Sequence, residues 1–320
     1  MSNILLIKNK IKKFDKKIII SGDKSISIRW VLLASQALGK SKAYNLLMSE
    51  DVLAALEAIK KLGIKVLIHK NHCEIYGKGI NNFKYKNGLV IDAKNSGTLG
   101  RLILGLLVKS PRKIKIIGDK SLSKRDFLRV TVPLKKFGAK FYYKVIGRLP
   151  LSIQGSQSLS GINYIENKGS AQCKSTIMLA ALNASGTTYI KAKKSRNHSE
   201  LLFKYLKIPI KIRKTKKFDF IDIKKPKKIN AFNYQIPGDI SSSAFFMVLT
   251  TLANDSKLLI KNININPSRV GVITILKKMG AQVTLKNQKN YKGEKISDIL
   301  IKSSKKLKAI NCPVELNSSA

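Results

Sequence analysis

The sequence predicts an α/β fold assembled from repeated βαβαββ units. Four segments, residues 17–38, 89–108, 163–184 and 233–253, each join a short strand, a polar stretch containing Ser and a strongly apolar run. With Ser25, Ser96, Ser170 and Ser242 as markers, the copies lie 71, 74 and 72 residues apart. Self-similarity at so steady an interval is the signature of one supersecondary unit used several times.

The elements of the unit follow in order. The opening strands are KIIIS, LVIDA, NYIEN and NYQIP. The helix that comes next is apolar nearly all round, as in LGRLILGLLV at 99–108, so it belongs inside the fold rather than on its surface. Its first turn carries Ser, Thr, Gly, Asn and Lys, which can cap the helix or leave its free N–H groups open to a ligand. A second strand follows (KAYNLL, KIKIIG, TTYIKA, KLLIKNI), then an amphipathic run at 51–66, 126–141, 199–212 and 270–283. Three of these runs close on Gly63, Gly138 and Gly280, where a helix C-cap wants a left-handed residue; the third copy has Lys207 there, which predicts a weaker cap. Two strands of alternating pattern complete each unit, for example QVTLKN and DILIKS between 282 and 303.

Composition narrows the function classes. A chain of 320 residues, 44% hydrophobic and 25% charged, is globular and long enough for about two domains, which excludes disordered and fibrous architectures. Apolar stretches such as 102–108 fall short of the ~20 residues a bilayer span needs. The N-terminus interleaves Lys with apolar residues and shows no cleavage site, so a cytoplasmic location is expected. A net charge of +44 points first to polyanions. Only nine of the 62 basic residues are Arg, however, and the lysines are scattered along the chain, the pattern of compositional bias rather than of a binding stripe. No nucleic-acid partner is therefore expected. Cys73, Cys173 and Cys312 are far apart and odd in number, which fits a reduced compartment. His69, His72 and Cys73 cluster locally, but no second ligand pair follows at metal spacing, so a solvated loop and no metal site are expected. Gly39, Lys40 and Ser41 imitate the end of a P-loop, yet Ala34 stands where its first Gly belongs and the segment runs from helix to strand.

The starts of the apolar helices carry the chemistry. A helix N-terminus bears roughly half a positive charge and is a ready anion site. Lys24 and Arg29 in the first copy, Arg101 in the second and Lys174 in the third stand beside these starts. Capping alone calls for no cations, so several such ends meeting at one cleft would make a pocket for polyanionic small molecules.

The strings GDKSISIR (22–29), NSGTLGRL (95–102), GDKSLSKR (118–125), SAQCKS (170–175), SRNHSE (195–200), PGDISSSAFF (237–246) and NPSR (266–269) occur in an order and spacing that resemble the 5-enolpyruvylshikimate-3-phosphate synthase family. The resemblance runs from about residue 3 to the last residue. It implies an enolpyruvyltransferase-like two-domain fold of six βαβαββ units, four of them present, with the substrates in the cleft between domains. Residues 21–240 would form the complete domain of three units, and residues 1–20 with 241–320 an incomplete second domain that exposes apolar surface. The implied reaction moves the enolpyruvyl (carboxyvinyl) group of phosphoenolpyruvate to the 5-hydroxyl of shikimate 3-phosphate and releases phosphate, by addition and elimination. It serves the shikimate pathway to chorismate and aromatic amino acids and uses no cofactor. A monomer is implied for the complete protein.

The same resemblance assigns residues. Lys24, Ser25 and Arg29 match the first motif, where the Lys touches phosphoenolpyruvate and shikimate 3-phosphate and takes part in proton transfer, and the Ser and Arg hold the shikimate part. Asn95, Gly97 and Thr98 match the loop lining the phosphoenolpyruvate site, Gly97 leaving room for the ligand or an analogue such as glyphosate. Arg125 matches a phosphoenolpyruvate clamp. Ser170, Ala171 and Gln172 match the shikimate 3-phosphate segment, Gln172 also lying near phosphoenolpyruvate, and Arg196 matches a contact to the phosphate of shikimate 3-phosphate. Ile28, Asp126 and Asn197 depart from the usual His, Pro and Asp. In the family the chain continues past CPVELNSSA to the Asp that accepts the proton of the attacking hydroxyl and to further cations, so this sequence reads as C-terminally truncated. The alternatives are an inactive fragment that keeps the shikimate 3-phosphate half-site, and the related UDP-N-acetylglucosamine enolpyruvyltransferase, against which the GDKS and SAQ strings argue. The expectation for the 320 residues alone is no turnover; phosphate release dependent on both substrates would overturn it.

Overall fold

The computed structural model describes residues 11–313 and 316. The first repeat is β1 (Asp15–Ile19), α1 (Lys24–Gln36), β2 (Leu38–Tyr44), α2 (Glu50–Lys61), β3 (Lys65–Ile68) and β4 (His72–Lys78). The second is β5 (Val90–Asp92), α3 (Gly97–Leu106), β6 (Ile114–Ile117), α4 (Lys120–Ser123), α5 (Leu128–Lys136), β7 (Lys140–Tyr143) and β8 (Leu151–Gln154). The third is β9 (Asn163–Glu166), α6 (Ala171–Ala181), β10 (Thr187–Lys193), α7 (His198–Tyr205), β11 (Ile210–Lys214) and β12 (Phe218–Lys224). The fourth is β13 (Asn233–Gln235), α8 (Ile240–Leu252), β14 (Lys257–Asn264), α9 (Gly271–Lys278), β15 (Gln282–Tyr291) and β16 (Glu294–Lys302). The βαβαββ order thus holds in each copy. The second copy differs by the single turn α4, which Asp119 starts by accepting the Leu122 N–H at 2.6 Å.

Each repeat contributes to a four-stranded sheet with one connectivity: the first strand runs parallel to the second, the second is antiparallel to the fourth, and the third closes the other edge. The sequence pattern did not reveal that the first and fourth repeats exchange their opening strands. β1 pairs in parallel with β14, and β13 pairs in parallel with β2. The two compact units follow that exchange. One holds Gly22–Ile236 with Lys292–Glu294, and the other holds the described residues before Gly22, Pro237–Tyr291 and those after Glu294. The expected domain segments 1–20 and 241–320 run partly through residues 1–10, 314–315 and 317–320, which lie outside the described residues.

The apolar helices bury as their composition requires. In α1 everything from Ile26 to Gln36 is buried, and α3 and α6 are nearly as enclosed. α3 packs on both α1 and α6. Gly105 is what lets α3 reach α6, because a Cβ there would lie 2.2 Å from the Thr176 carbonyl oxygen. The fourth copy differs: Phe245 and Leu252 of α8 are 79% and 66% exposed. No helix among the described residues is long and apolar enough to cross a membrane.

The amphipathic helices end as their glycines foretell. Gly63, Gly138 and Gly280 have φ of +84°, +95° and +96°, and Lys207 is forced to +56° in the same place. The Ile64, Ile208 and Ala281 N–H groups then reach back five residues to Ile59, Phe203 and Leu276, the Schellman closure.

Many lysines occupy the solvent faces of the sheets, where they lie over aromatic rings. Lys65 sits 5.1 Å from the Tyr76 ring centroid, Lys113 3.8 Å from Tyr142 and Lys191 4.8 Å from Phe218. Gly39, Lys40 and Ser41 fall inside β2, in a strand rather than a phosphate loop. The histidine cluster also resolves differently from the sequence pattern. Alternation along β4 turns Cys73 into the core, where burial pushes its thiol up to about 11, and brings Glu74 beside His69 and His72 instead. Tyr76 donates to the Glu74 carboxylate at 2.8 Å and Lys42 lies 3.0 Å from it, which with His72 holds it down to about 2. Lys40 stands at 3.8 Å. That carboxylate is already compensated by protein cations.

A left-handed conformation costs a non-glycine residue about 1–2 kcal/mol. Lys207→Gly is accordingly expected to stabilise the chain by roughly 0.5–1 kcal/mol, after the glycine's own chain-entropy cost, in equilibrium denaturation. Gly63→Lys is expected to destabilise by more than that, because a Cβ there would also stand 2.3 Å from the Lys84 carbonyl oxygen.

Candidate functional site

The four apolar helices are capped alike. Asp23 accepts the Ile26 N–H at 2.9 Å, Ser96 the Leu99 N–H at 3.2 Å, Ser170 the Cys173 N–H at 3.3 Å and Asp239 the Ser241 N–H at 2.8 Å. Capping is therefore met at every copy. In the first and fourth copies an Asp does it, and the marker residues Ser25 and Ser242 stand inside the helix rather than at its cap. Ser170 caps through a lone pair, which leaves its hydroxyl hydrogen to donate elsewhere. Its own N–H donates to Glu166 at 2.9 Å, as the Lys168 N–H does at 3.1 Å, so the loop entering α6 is built around one carboxylate.

Within the unit that contains Gly22–Ile236, α6 joins two cationic clusters. On one side Gln172 accepts from Arg101 Nη1 at 2.7 Å and donates to the Thr98 hydroxyl at 3.0 Å, linking the first turns of α3 and α6. Arg101 lies over the Phe127 ring at 5.3 Å, and burial lowers its pKa. Asn95 donates to Asp119 at 2.5 Å and accepts from Arg125 Nη2 at 3.2 Å. The Leu122 N–H and then the Asn95 amide hold the Asp119 carboxyl below its usual range. Gly97 sits between the two guanidinium groups. A Cβ there would come within 2.8 Å of Arg125 Nη1 and 3.1 Å of Arg101 Nη1.

On the other side lies Arg29, 4% exposed. Its Nε donates to Ser199 Oγ at 2.8 Å, Nη1 to the Ser25 carbonyl at 3.0 Å and Nη2 to Ser175 Oγ at 3.0 Å. The two hydroxyls also bond each other at 2.7 Å. Of the five N–H donors of a guanidinium, two stay uncommitted among the described residues. Burial lowers the Arg29 pKa to about 10, with Glu200 and Asp23 opposing the shift and Arg196 adding to it. Arg29 is therefore still cationic at neutral pH, and Arg196 is close enough to be felt. Beside it Lys174 and Glu200 form a buried ion pair at 2.6 Å, and His198 Nδ1 meets Glu294 at 2.6 Å with both side chains fully enclosed.

The expected residues thus fall into groups. Asn95, Gly97, Thr98, Arg125 and Gln172 assemble with Arg101, while Ser25 and Arg29 assemble with Ser175 and Ser199. Ala171 opens α6 after Ser170. Lys24 opens α1 with its side chain half-exposed, 3.4 Å from Asp51. His198, Ser199 and Glu200 lie in the string SRNHSE and Ser175 in SAQCKS, but the resemblance assigns none of the four a role. Ser175 lies within one helical turn of Gln172, which was a usable signal. The pairing of Ser199 with Arg29, 170 residues apart, had none.

The profile of EPSP synthase (3-phosphoshikimate 1-carboxyvinyltransferase) matches residues 8–315. The 3-phosphoshikimate 1-carboxyvinyltransferase of Ruthia magnifica is 42% identical over 302 residues, covering 94% of this chain and 68% of that protein. The Bacillus subtilis enzyme of the same name is 37% identical over 305 residues, covering 95% and 70%. A solved EPSP synthase from Acinetobacter baumannii superposes with a TM-score of 0.85 at 35% identity, over 95% of this chain and 68% of the other. By profile, by identity to its relatives and by fold, the chain belongs to the EPSP synthase family.

Proposed function

We propose that the two clusters divide the substrates of the family's reaction between them. That reaction transfers the enolpyruvyl group of phosphoenolpyruvate to shikimate 3-phosphate. In this reading Ser25, Arg29, Ser170, Ala171, Gln172 and Arg196 take shikimate 3-phosphate, and Asn95, Gly97, Thr98, Arg125 and Gln172 take phosphoenolpyruvate. Lys24, half-exposed at the start of α1, reaches both substrates and takes part in proton transfer. The observation that carries the reading is α6, which presents Gln172 to Arg101 and Thr98 and Ser175 to Arg29. Two anionic ligands held on one helix start would stand side by side, as a group transfer between them requires.

The physics favours such a division. Two multiply charged anions in one desolvated site need fixed cations and N–H donors, which stabilise charge without reorganising during the reaction. A planar guanidinium suits the task because it holds a carboxylate or phosphate with two parallel bonds. Arg125, propped by Asn95, is pre-aimed in this way. The reading also keeps the protein in the cytoplasm, as a monomer, with nucleic acid no part of its function.

Arg125→Ala removes a charge-assisted contact and is expected to weaken phosphoenolpyruvate about 10- to 100-fold, measured by calorimetry with shikimate 3-phosphate present. The shikimate 3-phosphate affinity should stay within about threefold, since the change is outside its cluster. A loss of shikimate 3-phosphate affinity with phosphoenolpyruvate untouched would reverse the assignment. Gly97→Ala crowds only the ends of two long side chains. It should therefore leave stability within about 0.5 kcal/mol while weakening phosphoenolpyruvate roughly tenfold.

A further inference from the structure

The first turn of α7 is held from two sides. Toward α1 and α6 it sends Ser199 to Arg29 and Ser175, and Glu200 to Lys174. Toward the hairpin tip Lys292–Glu294, which packs with this unit, it presents His198, Leu201 and Tyr205. Those three residues share one helical face. Each meets one residue of the tip. His198 Nδ1 lies 2.6 Å from Glu294, a Cβ on Gly293 would stand 3.4 Å from the Leu201 Cβ, and the Lys292 ammonium sits 5.0 Å from the Tyr205 ring centroid. Gly293 has φ +90°, a conformation that turns the tip onto the helix at no steric cost to a glycine.

We propose that Glu294 is a positioning residue for Arg29: by gripping His198 it fixes the first turn of α7, and with it the Ser199 hydroxyl that orients the Arg29 guanidinium. The consequence for substrate rests on the reading above, in which Arg29 binds shikimate 3-phosphate. Three of the five Arg29 N–H donors are spent on the protein, one from each nitrogen, which fixes the guanidinium plane and leaves one N–H on each of Nη1 and Nη2. Ser199 carries the Nε contact, and the next residue on each side anchors it, His198 to the hairpin tip and Glu200 to α6. A merely structural contact would tie the tip to the helix without any bearing on how Arg29 points.

The experiment uses the full chain and the variants Ser199→Ala, Glu294→Gln and Glu294→Asp, each checked by circular dichroism. The first readout needs no substrate: the Arg29 Nε–H signal in nitrogen-15 NMR, assigned by its loss in Arg29→Lys. Buried against Ser199, it should exchange slowly with water in the parent chain, and at least about tenfold faster in both Ser199→Ala and Glu294→Gln. Glu294→Asp, which keeps the charge, should fall between and serves if the Gln variant does not fold. The second readout is shikimate 3-phosphate affinity by calorimetry. Ser199→Ala should weaken it about tenfold, Glu294→Gln about three- to tenfold, and the double variant little more than the larger single effect, because both act through one guanidinium. An Arg29 signal indifferent to Glu294→Gln overturns the proposal. If the NMR effect is present while Arg29→Lys leaves shikimate 3-phosphate binding unchanged, the positioning stands and the substrate assignment of Arg29 falls.

Discussion

The structure depends on one constraint: a helix that is apolar on all sides must be covered on all sides. α3 satisfies it by packing on both α1 and α6, with Gly105 reducing the α3–α6 distance to backbone contact, while α2 and β4 cover other sides of α1. The first turns of α1, α3 and α6 come together as a result. Arg101 and Thr98 of α3 meet Gln172 of α6, and Arg29 of α1 meets Ser175 of α6, each within two turns of a helix start. The site is therefore a product of core packing. The burial that closes the hydrophobic interior also stacks the N–H ends that an anion needs, and no separate scaffold is required to place them.

The same constraint sorts the charges. Most of a +44 excess cannot enter such a core, and lysines appear on the outer sheet faces over Tyr76, Tyr142 and Phe218. The cations that do go inside are few and individually compensated. Lys174 has Glu200, and Arg29 has a ring of hydroxyls and a carbonyl. Arginine tolerates this treatment better than lysine, because even with burial pulling Arg29 down to about 10 it remains charged at neutral pH. Net charge was thus a poor guide to function in this chain. The position of nine arginines among 62 basic residues was a better one.

What the sequence made legible was whatever lies within one repeat. The interval of the serines, the apolar helices, and the left-handed position occupied by three glycines and Lys207 all follow from local sterics and periodicity. The βαβαββ order and the family motifs were legible for the same reason. What stayed hidden spans repeats. The exchange of β1 and β13 leaves no local trace, since a parallel neighbour imposes the same alternation whichever repeat supplies it, and only the family resemblance set residues 1–20 apart from 21–240. The contacts Arg29–Ser199 and His198–Glu294 join residues 170 and 96 apart, and neither partner is of a type that names the other. The His69–His72–Cys73 cluster shows the opposite failure. Adjacency in sequence counted for less than the alternation of a strand, which put Cys73 and Glu74 on opposite faces.

α8 separates the two halves of the constraint. It is at least as apolar as α1, and Asp239 starts it as Asp23 starts α1. Yet Phe245 and Leu252 remain exposed: α3 is packed between α1 and α6, whereas among the described residues of its own unit α8 is the single helix of that kind. Local sequence decides that such a helix forms and where it begins. Whether it is buried depends on how many of its kind share the unit, and in the unit where three do, Arg29, Arg101 and Gln172 are gathered near their first turns.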